Sequence, residues 1–136
     1  MAPFAPPKAR TFTYELPGGW IVLAGRTDQD NEILSLKEAD PGDWWFHVRS
    51  MPGSHVILKA RPGEEPGPAV LKQAAAVAAY HSKARNAGVT PVSCTRARFV
   101  TKAPGSPPGT VHIRKETILK VRPGIPENAQ NQGEGS

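Results

Sequence analysis

Residues 43–58 read DWWFHVRSMPGSHVIL, and this stretch has the most unusual pattern in the chain. Residues 44–48 are rich in aromatic side chains, which favour extended structure, so we expect a strand there. Met51, Pro52 and Gly53 have turn chemistry, and residues 54–60 are apolar and β-branched enough for another strand. The stretch therefore predicts two strands with a tight connection between them.

The alternation of side chains along the first of these strands separates core residues from candidate contact residues. Successive strand side chains point to opposite faces. We therefore expect Trp44 and Phe46 in the core, and Trp45, His47 and Arg49 on the other face. Aromatic rings beside His and Arg can form a stacking surface for unpaired bases. This pattern favours a nucleic-acid contact.

Two histidines flank the turn in this stretch. His47 and His55 meet if the two strands pair, and such a pair can bind a phosphate. A metal is not expected, because the chain has one cysteine and shows no HExxH motif or other firm ligand spacing. No cofactor is predicted.

Outside this stretch the pattern predicts a single α+β domain with a largely antiparallel sheet. We expect a short helix over residues 28–39 and a main, alanine-rich helix over residues 69–87, which can pack close to the sheet. The further strands are expected at residues 12–16, 20–24, 92–102 and 110–122. Residues 1–10 are expected to form a flexible arm, residues 11–124 the folded domain and residues 125–136 a disordered tail.

Length and composition exclude several classes of protein. A chain of 136 residues suits one domain. One cysteine excludes an internal disulfide framework. No apolar run reaches the ~18 residues of a membrane span, and the first residues lack a signal-peptide pattern, so we expect a cytoplasmic protein without a membrane partner.

The positive charge lies in the second half of the chain. Residues 1–68 carry seven Lys/Arg against nine Asp/Glu, a net charge of −2, whereas residues 69–136 carry ten against three, a net charge of +7. Clustered Lys and Arg at this density indicate a polyanionic partner such as nucleic acid. A solvated surface that keeps a small protein in solution is the simpler alternative.

The cationic side chains of the second half follow strand spacing. On a period of two, pairing of the last strands predicts one exposed face with guanidinium and ammonium groups that suit phosphate oxygens. An ordinary charged sheet face that resists aggregation explains the pattern as well. The residues concerned are Arg96, Arg98, Arg114, Lys120 and Arg122.

Three other candidates have structural explanations. His81 lies on the apolar face of the main helix and is expected to be a hydrogen-bonded core histidine. Asp28, Asp30 and Glu32 resemble a magnesium-binding string, but helix capping explains them better. Cys94 lies in a strand without an activating base and is expected to be a small apolar side chain. No GxGxxG, Walker or nucleophile-elbow motif occurs, so catalysis has no positive support.

Several motifs, taken in order, resemble the NFACT RNA-binding domain (NFACT-R) family. The resemblance runs over about residues 20–123. Its motifs are Gly25-Arg26, Asn31-Glu32 with Leu34, Asp43-x-Trp45-Phe46-His47-x-Arg49, Pro52-Gly53-Ser54-His55-Val56, Tyr80-His81-Ser82 and Pro108-Gly109-x-Val111.

This resemblance implies an RNA-binding module without catalytic activity of its own. It implies contacts near Arg26, His47, Arg49, Ser54 and His55. In the family the hairpin loop is usually lysine-rich, whereas here Pro104 and Pro107 stand there, so the phosphate contacts that the family loop implies are not carried over to this chain. NFACT proteins also carry an N-terminal domain and coiled-coil segments, and a chain of this length is expected to be a stand-alone, bacterial-type version.

The leading expectation is therefore binding of structured RNA, a tRNA or rRNA, in translation or ribosome-associated quality control, with the ribosome as a further partner. One alternative is a small enzyme that acts on RNA or a phosphorylated substrate with His47 and His55 as acid and base. Another is a protein-interaction module whose disordered ends recruit a partner.

Overall fold

The computed structural model describes residues 7–127, and within them eight strands and two α-helices form the fold. The helices are α1 (Asp28–Ile33), which continues as a π-helical segment (Leu34–Glu38), and α2 (Pro68–Tyr80). The strands are β1 (Thr11–Glu15), β2 (Ile21–Gly25), β3 (Trp44–Val48), β4 (Val56–Leu58), β5 (Thr90–Arg96), β6 (Val100–Lys102), β7 (Val111–Ile113) and β8 (Thr117–Val121).

Six of these strands form one antiparallel sheet in the order β1-β2-β4-β3-β5-β8, and β6 pairs with β7 in a separate hairpin. This arrangement confirms the predicted α+β class, and within it β3 pairs with β4. Among residues 7–127 no helix is long and apolar enough to cross a bilayer. The predicted arm and tail lie largely outside the described residues, although Ile125 packs against the core.

Both faces of the main sheet carry a cluster of buried residues. On the helix face, α2 covers a core that includes Val22, Phe46 and Val92, which are fully buried. On the second face, the π-helical segment and the β6–β7 hairpin cover Trp45 and Ile57. Trp44 and Phe46 thus belong to the helix-face core, as their parity predicts.

Both helices have identifiable local signals. The Thr27 side chain caps α1 by accepting a hydrogen bond from the Asp30 backbone N–H at 3.1 Å. Pro68 stands at the start of α2, where its missing N–H costs nothing. The interior of α2 is mostly alanine, which favours helix and lets the backbone approach the sheet closely.

The main helix is shorter than predicted, ending at Tyr80 and not near residue 87. The reason is that the following backbone pairs with the turn after β3: Ser54 N–H donates to the His81 carbonyl at 2.8 Å, and Lys83 N–H donates to the Pro52 carbonyl at 3.2 Å. Ser82 Oγ takes up one helix-end carbonyl by donating to Ala79. These contacts replace further helical hydrogen bonds.

The two long β-runs are also interrupted. The predicted strand over residues 92–102 breaks at a 3₁₀ turn (Ala97–Phe99), which closes with a hydrogen bond from the Val100 N–H to the Ala97 carbonyl. The Arg98 N–H there leaves the register of the sheet and donates to the Pro41 carbonyl at 3.2 Å. The predicted strand over residues 110–122 breaks near Lys115, whose φ of 60° is incompatible with extended structure. The first half of each run pairs with the second half of the other, so both the sheet and the hairpin gain an antiparallel pair.

Close approach of α1 to β2 predicts that Gly25→Ala destabilises the fold. A Cβ at Gly25 would collide with the side-chain oxygen of Asn31 and lie 3.0 Å from its backbone nitrogen. That side chain accepts a hydrogen bond from the His55 N–H, so it cannot move without loss. We expect the free energy of unfolding, measured by urea denaturation, to fall by about 1–3 kcal/mol.

The matched control is Gly124→Ala, because a Cβ there meets nothing within 4 Å. This control is expected to change the free energy of unfolding by less than about 0.5 kcal/mol. Equal stability of the two variants would contradict the close packing of α1 on β2.

Candidate nucleic-acid interface

The two histidines of the opening stretch do meet. Because β3 and β4 are neighbours, the rings of His47 and His55 lie 5.4 Å apart, centroid to centroid, at an interplanar angle of 79°. The Trp45 ring lies 6.0 Å from His47 and 5.2 Å from His55. The expectation that the strands bring this pair together is confirmed.

One buried hydroxyl organises this cluster. Ser35 Oγ, on the π-helical segment, lies 2.8 Å from His55 Nδ1 and accepts a hydrogen bond from Trp45 Nε1 at 3.0 Å. The His55 backbone N–H donates to Asn31 Oδ1 at 3.0 Å. The polar atoms of the cluster are therefore satisfied inside the fold, which is typical of a structural network.

The environment keeps both imidazoles neutral. Burial, together with the neighbouring His47, lowers the pKa of His55 to about 3. Burial also lowers the pKa of the His47 ring. At neutral pH neither ring supplies a positive charge, so a phosphate contact here would depend on hydrogen bonding and not on an ion pair.

The expected stacking surface on Trp45 is wrong. Its side chain is 3 % exposed and packs with Leu34, Ile57 and Val100 under the π-helical segment and the hairpin. The alternation of side chains correctly predicts that this ring points to the second face. It does not reveal that the π-helical segment and the β6–β7 hairpin cover the ring there. His55 is likewise 3 % exposed, whereas His47 is half-buried.

The predicted common face of cationic strand residues is wrong for Arg96. This residue points to the helix face, where its guanidinium lies 3.9 Å from the Trp44 ring centroid and forms an ion pair with Glu65 at 2.9 Å. The 3₁₀ turn that follows changes the alternation, so strand parity no longer relates Arg96 to Arg98. The other four cations, Arg98, Arg114, Lys120 and Arg122, are exposed.

Two of the exposed cations lie on or beside the second face of the sheet. Lys120 has the parity opposite to the buried Val121 and therefore points to the second face, as His47 does. The Arg114 carbonyl accepts a hydrogen bond from Thr95 Oγ1 at 2.6 Å. Arg98 and Arg114 each place a guanidinium 5.3 Å from the centroid of the same ring, Phe99.

Arg49 is partly neutralised. Its Nε lies 3.5 Å from a carboxylate oxygen of Glu116, and that carboxylate also accepts a hydrogen bond from the Ser93 hydroxyl. Lys102, at the hairpin, is paired with Glu32 at 2.6 Å. These two cations have carboxylate partners within the fold.

A groove opens beside the turn that connects β3 to β4. It lies between that turn, the end of α2 and the start of α1, has a volume of about 770 Å³, and includes Arg26 and Ser54 in its lining. Ser54 Oγ donates to the Gly25 carbonyl at 2.6 Å, which fixes the turn against β2. The groove is lined by more cationic and aromatic side chains, namely Phe12, Tyr80, His81, Lys83 and Arg85.

Sequence reasoning did not assign Phe12, Tyr80, Lys83 and Arg85 to a site. Lys83 and Arg85 fall within the helix that the sequence predicted, where their direction would have been different. Because α2 ends at Tyr80, Lys83 and Arg85 lie in the lining of the groove. The one available signal was the Tyr80-His81-Ser82 motif, which the family resemblance includes.

Two of the candidates with structural explanations, His81 and Cys94, behave as expected. His81 Nε2 lies 2.6 Å from the Tyr14 hydroxyl, and burial together with the charge of Arg85 lowers its pKa to about 4. Cys94 is buried, and that burial raises the pKa of its thiol to about 12. The N-cap of α1 is Thr27, whose Oγ1 accepts a hydrogen bond from the Asp30 N–H at 3.1 Å, whereas Glu32 forms an ion pair with Lys102.

Comparison with known proteins identifies the domain. Residues 8–115 match the family described as the NFACT protein RNA binding domain. The chain belongs to this family. The matched residues include the two histidines, the turn between them and the lining of the groove.

Individual relatives agree with this assignment. The chain is 36 % identical over 111 residues to the Rqc2 homolog RqcH of Bacillus subtilis, covering 82 % of this chain and 19 % of that protein. It is 37 % identical over 106 residues to the Rqc2 homolog RqcH of Streptococcus suis, covering 78 % and 19 %. The chain thus spans about a fifth of the length of these relatives.

A solved structure shares the fold. The C-terminal part of the fibronectin/fibrinogen-binding protein from Streptococcus suis superimposes with a TM-score of 0.79 at 32 % identity. The match covers 93 % of this chain and 49 % of that chain. The NFACT RNA-binding domain described here therefore has the architecture of a known module.

The neutral histidines predict that acid destabilises this domain. In the unfolded chain His55 binds a proton near its ordinary pKa of 6.5, whereas the folded state resists protonation down to about pH 3. Protonation therefore favours the unfolded state, and stability falls as the pH falls through this window. Between pH 6.5 and about pH 4.5 we expect a loss of roughly 2–3 kcal/mol from His55.

Urea denaturation at several pH values measures this loss. The pKa of His81 is also lowered, to about 4, so this residue adds to the loss in acid. His81→Gln can keep a hydrogen bond to Tyr14 but does not titrate, so the variant is expected to lose less stability in acid than the parent. A free energy of unfolding that stays constant over the window would contradict burial of the neutral rings.

Proposed function

We propose that the chain binds structured RNA, a tRNA or rRNA, and acts in ribosome-associated quality control. Membership of the NFACT RNA-binding domain family over residues 8–115 carries this proposal. The name of the Rqc2 homolog RqcH relatives supports the quality-control context. The proposal concerns the module that the matched residues share with those longer proteins.

The charge distribution supports a phosphate-binding surface. The four exposed cations of the predicted strand face form no ion pair within residues 7–127, and their charge is therefore available to a polyanion. They are Arg98, Arg114, Lys120 and Arg122. Neutralising phosphates releases counterions, and this release supplies much of the affinity of such interfaces.

The half-buried His47 and the turn at Ser54 would lie at the edge of this surface. Arg114 and Lys120 belong to or border the second face, to which His47 also points. In the proposal these cations position the RNA backbone, and the neutral ring of His47 contributes a directional hydrogen bond. His55 acts from beneath, as a buried support for His47 and the turn.

Acid–base catalysis by the histidine pair gains no support. A general acid or base works best with a pKa near the operating pH, whereas His55 has a pKa of about 3. Its ring is also 3 % exposed and is hydrogen-bonded to Ser35. A binding role fits this environment better than a catalytic one.

We expect the chain to bind tRNA or an rRNA fragment with strong salt dependence. Fluorescence anisotropy at about 50 and 200 mM salt measures the slope of log affinity against log salt. Arg114→Gln combined with Lys120→Gln should weaken binding and reduce the magnitude of that slope by about 2, because each cation contributes about one phosphate contact.

The control is Lys72→Gln, which removes an exposed cation from α2, on the other side of the sheet. It is expected to leave the slope close to that of the parent. Absence of RNA binding by the parent at low salt would refute the proposed function. A pull-down partner retained after nuclease treatment and at high salt would instead favour a protein-interaction module.

A further inference from the structure

The groove beside the β3–β4 turn has the size and charge of a ligand site. Its volume of about 770 Å³ falls within the roughly 300–1,000 Å³ typical of small-molecule sites. Its lining has three cations, Arg26, Lys83 and Arg85, against one carboxylate, Asp28. The excess of positive charge favours an anion of nucleotide size.

Arg85 is oriented without being neutralised. Its guanidinium lies 3.9 Å from the centroid of the Tyr80 ring, and its Nε donates to the Tyr80 carbonyl at 2.7 Å. Within residues 7–127 it forms no ion pair, and its side chain is exposed. A planar cation fixed in this way can stack on a base and keep its charge for a phosphate.

A second guanidinium repeats the arrangement in the lining of the same groove. Arg26 lies 4.3 Å from the centroid of Phe12, and the Phe12 ring stacks on His81 at 4.6 Å with an interplanar angle of 15°. The Phe12 ring thus contacts both the Arg26 guanidinium and the His81 ring. The groove thus combines two planar cations with aromatic rings and a lysine.

We propose that this groove binds one unpaired nucleotide of the RNA, with its base stacked on Arg85 and its phosphate near Lys83. This inference rests on the proposed function and adds a preference within it. A nucleotide inside a continuous duplex has both base faces covered by its neighbours, so it cannot enter. A bulged or looped nucleotide offers a free base face together with a phosphate.

Two hairpin RNAs of equal stem sequence test the preference, one fully paired and one with a single-nucleotide bulge. The parent chain is expected to bind the bulged hairpin more tightly. Arg85→Gln should weaken binding of the bulged hairpin by about tenfold and change binding of the paired hairpin by less than about twofold. Thermal unfolding of each variant checks that the fold is retained.

Arg85→Lys separates planarity from charge. Lysine keeps the positive charge but cannot stack as a plane, so this variant should lose most of the preference for the bulge. Lys72→Gln is the matched control for loss of one exposed cation, and it should retain the preference. A 2-aminopurine at the bulge should change its fluorescence on binding to the parent and change less with Arg85→Gln.

The outcomes distinguish this inference from the proposed function. If Arg85→Gln weakens binding of both hairpins equally, or if Arg85→Lys behaves as the parent, the RNA contact is electrostatic and the nucleotide site is wrong. If the parent binds both hairpins equally well, the preference is wrong although RNA binding stands. If the parent binds neither hairpin nor tRNA or rRNA, the proposed function itself fails.

Discussion

The hydrogen bonds of Ser35 and Asn31 to the strand residues beneath them are the constraint on which the candidate interface depends. Ser35 joins the π-helical segment to His55 and Trp45, and Asn31 joins α1 to the His55 backbone. An unsatisfied polar group at this depth would cost about 1–3 kcal/mol, so the four residues are fixed as a unit. The start of β4, and with it the turn before it, is thereby held in place.

Close packing of α2 on the sheet complements this network from the opposite side. Ala74, Ala75, Ala78 and Ala79 are fully buried, and their small side chains let the end of the helix reach the β3–β4 turn. At Gly53 a Cβ would lie 2.7 Å from the Cβ of Ser82, so only glycine fits there. The alanine-rich helix and the glycine of the turn are therefore two parts of one geometric requirement, and together they form the groove.

Those parts of the fold that depend on neighbouring residues in the sequence could be predicted. Residues 44–48 form the predicted strand, since aromatic alternation is a strong signal, and pairing of the next strand brought His47 to His55. The burial of Trp45 depends on the π-helical segment and the hairpin, which are distant in sequence, and the face of Arg96 depends on a strand break at the 3₁₀ turn. Neither leaves a periodic signal, so the candidate interface was predicted only in part.

The neighbour of each cation in the fold determines whether its charge is available to a polyanion. Arg96 and Arg49 lie beside carboxylates, so much of their charge is compensated inside the fold. Arg85 is held by an aromatic ring, which orients a guanidinium without cancelling its charge. A net charge of +5 does not reveal this difference, because it counts every cation alike. The partner of each guanidinium, and not the total charge, determines where the domain can meet RNA.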